Sequence, residues 1–174
     1  MIPLRIEAVD EKTVRLTGIP PLVADCLQRL DEILAQRDSQ PARQRLLPKP
    51  SSDEVINAEW EQLVTPDLRH LFVTAAETVL RDLTALEPTP QRENLFCLAF
   101  PAAHLDAWMS AINQARLILS EQFNVTDLEM ERCNLDPRCE SDLALIRIHL
   151  LGWLLEVLVQ FGEQDNDHSA PDES

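Results

Sequence analysis

Leu105, Trp108, Met109, Ile112, Leu119 and Phe123 recur at three- and four-residue steps, and this single apolar stripe predicts a helix over residues 105–123. Residues 143–161 are apolar almost all round, which predicts the core helix that packs against it. Asn113 and Arg116 interrupt the flank of the first stripe three residues apart, so their side chains can meet. At the N-terminus the period changes. Leu4, Ile6 and Ala8 alternate with polar residues, as do Val14 and Leu16, and predict a two-stranded hairpin about a polar turn at 10–12. A lone hairpin is marginal, so it requires a further strand or a helix beneath it. The short apolar run 94–100 lies between breakers and supplies that strand.

Between these elements the pattern predicts three more helices. Leu22, Cys26, Leu30, Ile33 and Leu34 mark one that ends near Gln36. Ser51 or Ser52 can cap a second, with Val55, Ile56, Trp60 and Leu63 on its apolar side. Thr65, Pro66 and Asp67 open a third, which carries Leu68, Leu71, Phe72, Ala75, Val79 and Leu83 inward until Pro88 and Pro90 stop it. Residues 37–52 contain Pro41, Pro48 and Pro50 and predict a non-helical connection, pinned to the body by Leu46 and Leu47. Thr126 and Glu129 match a capping box, and 133–139 predict a loop broken by Pro137. The expected fold is α+β and mostly α: about five helices around two central ones, with a small antiparallel sheet. One domain over 1–161 is followed by a polar acidic tail, 162–174, whose composition predicts disorder.

Charge narrows the partners. The net charge is −15; residues 1–50 hold eight Lys/Arg against seven Asp/Glu, whereas 51–174 hold seven against twenty-three. Such a surface opposes direct nucleic-acid contact and suits a protein partner. The only basic window is 37–52, where Arg43, Arg45 and Lys49 are the candidate contact residues. The N-terminus lacks a basic stretch followed by an apolar run, and 143–161 contain Arg147, His149 and Glu156. Both observations predict a cytoplasmic protein that spans no membrane.

Familiar catalytic signatures are missing: there is no glycine-rich phosphate loop, HExxH or GxSxG. His70, His104, His149 and His168 are scattered without metal-ligand spacing, so neither a metal nor another cofactor is expected and the protein is read as non-enzymatic. Cys133 and Cys139 have five residues between them, unlike a CxxC dithiol, and remain a redox candidate through a reversible disulfide. Arg132 and Arg138 beside them favour thiolate, against Glu131 and Glu140. Cys26 and Cys97 lie in apolar surroundings and are expected in the core. Arg116, if buried, needs a partner, for which Glu156 is the candidate. The alternative is a small-molecule or anion site built on Asn113 and Arg116.

Four pieces also agree, in order, with one family. Residues 105–127, with Trp108, Asn113, Arg116 and Leu117, resemble the signature helix of the actinobacterial family typified by the oxidative-stress regulator AosR, long catalogued as a domain of unknown function. Arg45, Leu46, Leu47 and Pro48 resemble its Arg-Leu-aromatic-Pro element. Glu59 and Trp60, then Leu63, Val64 and Thr65 with Leu68 and Arg69, resemble its run into a long helix. Residues 149–154 resemble its closing helix with a Trp-Leu pair. The resemblance implies a small α-rich cytosolic protein, often encoded near the proteolytic adaptor ClpS, and in some members a redox-responsive transcription regulator. This chain departs from it in cysteine spacing and in acidity. A regulatory role is therefore expected to run through a protein partner.

Overall fold

In the computed structural model, which describes residues 4–90 and 94–168, the alternating N-terminal run folds as a hairpin of β1 (Arg5–Asp10) and β2 (Thr13–Ile19). The Asp10 carboxylate accepts the Lys12 amide at 2.7 Å and closes the turn, which holds the Asp10 carboxyl below its ordinary value. Two later strands complete an antiparallel sheet: β3 (Glu87–Pro88) and β4 (Phe96–Pro101), in the order β1-β2-β4-β3. The apolar run does pair with the hairpin, as expected, with Leu16 opposite Leu98 and Val14 opposite Phe100. The pairing shifts between Leu16 and Ile19, where Gly18 takes φ 69°, a left-handed conformation that a side chain would disfavour. The two-residue β3 was not legible, because Pro88 reads as a helix stop.

Eight α-helices lie among the described residues, where periodicity predicts about five. The expected helix near 22–36 is two, α1 (Pro21–Gln28) and α2 (Leu30–Leu34), which meet at Arg29 with ψ near 1°. The connection 37–52 contains α3 (Gln40–Leu46), a correction to the expectation of a non-helical segment. Pro41 sits in its first turn, where a missing amide costs nothing, and Ala42 is buried beneath it. Then follow α4 (Glu54–Leu63) and α5 (Thr65–Asp82). The stripe helix is α6 (Leu105–Gln122), and the capping box forms α7 (Asp127–Met130) with both of its reciprocal bonds present.

The last helix, α8 (Glu140–His168), runs past the expected end near 161, so 162–168 are helical where composition predicts disorder. Residues 169–174 lie outside the described residues.

The core is where α6 meets its neighbours. Trp108, Ala111, Ile112, Ala115, Ile118 and Leu119 of α6 are buried, as are Leu145, Ile148, Leu151, Leu154 and Leu158 of α8. The two expected core helices do pack together, with α5, α3 and α2 on the other sides of α6. The inner face of the sheet adds Val14, Leu16, Leu98 and Phe100. Burial of each such side chain contributes about 1.5–3 kcal/mol before entropy is subtracted. Some expected inward positions face out. Trp153 is 39% exposed, about a quarter turn from buried Leu154, and Leu71 of α5 is 61% exposed. Helix α4 has no buried residue at all.

Candidate functional site

An exposed apolar surface lies on α4. Val55, Ile56 and Leu63 are 68%, 49% and 70% exposed, although the pattern predicts them inward. Asp53 caps the helix through its carboxylate, which accepts the Val55 amide at 2.8 Å. Asn57 and Trp60 flank this side and line the groove toward α3. Asn57 accepts the Ser51 amide at 3.2 Å and donates to the Ser51 carbonyl at 2.8 Å, which ties the preceding loop to the helix. Between α3 and α4 runs an open groove of about 450 Å³, lined by Gln40, Gln44, Leu47, Lys49, Asn57 and Trp60 among others. Ile56 and Leu63, two turns apart, share one side of α4 with Glu59 between them.

Two of the basic window's side chains are engaged by carboxylates. Arg43 crosses the groove to Glu61 at 3.2 Å, and Arg45 reaches Glu121 of α6 at 3.7 Å. Both contacts are exposed and contribute little stability. They nevertheless place a carboxylate beside each arginine, which weakens the window as a phosphate contact. Lys49 stands at the groove without an ion-pair partner among the described residues.

The expected polar group of Asn113, Arg116 and Glu156 does not assemble. Asn113 is exposed, and Glu156 is exposed and accepts from Gln160 at 3.3 Å. Arg116 instead lies over Gly152 of α8. A Cβ at residue 152 would meet Arg116 Nε at 3.3 Å and Cζ at 3.4 Å, so the glycine makes room for the guanidinium. That gap draws the side chain onto the helix backbone and away from the Glu156 carboxylate. Arg116 Nε is buried there with no hydrogen-bond partner.

Cys133 and Cys139 are exposed free thiols in the loop before α8. Asp142 organises that loop. Its carboxylate accepts from Arg132 at 2.9 and 3.2 Å and from the Asp136 amide at 3.0 Å. The Asp136 amide, followed by Arg132, holds the Asp142 carboxyl below its ordinary value despite its burial. Cys139 immediately precedes α8, with Sγ 3.1 Å from Ser141 Oγ. That hydroxyl and the amides of Asp142 and Ser141 lower the Cys139 thiol pKa. Cys26 is buried, as expected, and burial pushes its thiol up to about 12. Cys97 is a correction: it is only half-buried, on the sheet's outer face beside Glu87.

One cluster has no signal in the sequence. Asp82, the last residue of α5, accepts from His104 Nδ1 at 2.9 Å and from Trp108 Nε1 at 2.9 Å. Because a carboxylate only accepts, His104 carries its proton on Nδ1 here. No spacing groups residues 82, 104 and 108 in advance. Among the described residues, no cluster of three or more His, Cys, Asp or Glu is set to hold a metal ion, and no helix is long and apolar enough to cross a membrane.

Taken together, fold and surface define an α+β, mostly helical domain whose exposed apolar face is α4, beside an open groove. The chain belongs to the family described as a domain of unknown function, DUF2017, whose model matches residues 7–161. No curated protein and no solved structure matches it.

Proposed function

We propose that this is a non-enzymatic regulatory protein that acts by docking an amphipathic helix of a protein partner on α4. The observation that carries this is a ten-residue helix with no buried residue and three large apolar side chains facing solvent. Ile56 and Leu63 present the two-turn anchor spacing that helix-in-groove recognition uses. Glu54 and Glu59 on the same helix have no ion-pair partner among the described residues, so the rim selects basic flanks. An acidic chain whose Arg43 and Arg45 are engaged by carboxylates is suited to such a partner and poorly suited to DNA.

A labelled synthetic helix with Leu at three- and four-residue steps and Lys elsewhere is the probe. It is expected to bind the wild type, and at least about tenfold more weakly to the Ile56→Ser/Leu63→Ser variant, whose charge is unchanged. Equal binding to both would reduce the interaction to bulk electrostatics and overturn the reading.

Redox responsiveness is the second element of the proposal. It is supported by two exposed thiols in one loop and by the resemblance to the oxidative-stress regulator family. Peroxide would oxidise the Cys139 thiolate to a sulfenic acid with release of hydroxide, and the Cys133 thiol would displace its hydroxyl as water to leave a disulfide. Non-reducing mass spectrometry of peroxide-treated protein is expected to show the 133–139 cross-link. A dithiol that survives peroxide unlinked would remove redox control while leaving the α4 reading untouched.

A further inference from the structure

We propose that the free edge of β1 pairs with β1 of a second copy of this chain, joining two four-stranded sheets into one of eight strands. The two edges of the sheet are treated differently. At one, β3 is two residues long and contains Pro88, which blunts it. At the other, β1 has six residues without proline, and Arg5, Glu7, Ala8, Val9 and Asp10 are all exposed. An edge of that length offers unpaired amides and carbonyls to another strand.

The side chains choose the occupant and the register. Two copies of one edge pair antiparallel about a two-fold axis perpendicular to the sheet, and directly opposed residues point to the same face. With Ile6 opposite Ile6 of the second copy, Arg5 opposes Glu7 twice and Leu4 opposes Ala8 twice. Sliding the seam one way sets Arg5 against Arg5; sliding it the other way sets Glu7 against Glu7. Like charges directly opposed are unfavourable, so one register is flanked by two disfavoured ones.

Glu7 already stands across from Arg15 of β2 within the chain. In the pair it lies between its own Arg15 and Arg5 of the second copy, and among the described residues none of these three has an ion-pair partner in the single chain.

Long-range charge agrees. The chain carries −15, and two copies repel over most of their surface. The hairpin is an exception: Arg5, Lys12 and Arg15 balance Glu7, Asp10 and Glu11. A second copy can approach there without opposing charge. A single strand pair buries less than the roughly 800 Å² per partner of a stable complex, so the dimer is reversible and concentration-dependent.

Sedimentation velocity of the full chain at physiological salt is expected to show a monomer–dimer equilibrium. Glu7→Arg sets two arginines against each other at both ends of the seam and weakens dimerisation by about tenfold or more. With Arg15→Glu added so that residue 7 keeps an opposite charge across from it in β2, the double exchange Arg5→Glu/Glu7→Arg restores opposite charges in the same register and returns dimerisation toward the wild-type level. Both positions are exposed, and circular dichroism checks that each variant is folded. A wild type that stays monomeric at all concentrations, undiminished dimerisation of Glu7→Arg, or failure of the double exchange to restore it would each overturn the proposal.

Discussion

Trp108→Ala is expected to remove about 4 kcal/mol of stability and to lower the melting temperature by roughly 8–16 °C, read by thermal circular dichroism. Trp108 is 0% exposed, and its ring stacks on Phe100 of β4 with centroids 4.9 Å apart and planes 27° from parallel. One side chain therefore joins the sheet to the central helix. Truncation forfeits the transfer of an indole from water and leaves a cavity between two rigid elements that cannot collapse fully around it. Against the roughly 5–15 kcal/mol typical of a folded protein, that is a large fraction of the total. A fall of less than about 2 °C would show that Trp108 does not bridge the two layers.

How much of this was legible from the chain follows from which forces leave a local trace. Helix α6 and its packing on α8 were legible because burial repeats at helical period, and Trp108, Ile112 and Leu154 are buried accordingly. The hairpin and its pairing with the apolar run were legible because alternation has period two. The capping box at Thr126 and Glu129 was legible because both of its bonds are local.

The errors arise where one-dimensional pattern meets a choice made in three dimensions. Helix α4 has an apolar side as clear as any other, yet nothing in its own residues says whether the body offers a surface to cover it. Chemistry alone pairs Arg116 with Glu156, whereas the space over Gly152 decides where the guanidinium goes. Pro41 marks a break in sequence, but at the first turn of α3 it is compatible with helix. The site is correspondingly less legible than the fold, since Asn57, Trp60 and Lys49 come together only through the turn of α3 against α4.

The Asp82 cluster provides the second large effect. A carboxylate at the C-terminal end of α5 faces the negative pole of the helix, which costs about 0.3–1 kcal/mol where exposed. Its side chain is only 7% exposed, so burial adds a desolvation cost. It is retained at that place by two donors, His104 Nδ1–H and Trp108 Nε1–H, each at 2.9 Å. Asp82→Ala is expected to cost about 2–3 kcal/mol in urea unfolding. The indole N–H is then left buried without an acceptor, whereas His104, with a side chain 30% exposed, can turn to water.

The arrangement makes a sharper claim than the single variant. Trp108→Phe keeps a ring on Phe100 and removes the donor, so in the Asp82→Ala background it should cost less than in the wild type, with a coupling of about 1–2 kcal/mol. Asp82→Asn preserves one acceptor oxygen and deletes the charge. Both donors meet the same oxygen, Oδ2, so an amide oxygen there can still accept from both but without the charge, and Asp82→Asn should fall between wild type and Asp82→Ala. Strict additivity of Asp82→Ala and Trp108→Phe would mean that the two side chains are neighbours without a shared bond, and the joint between α5 and α6 would then rest on apolar packing alone.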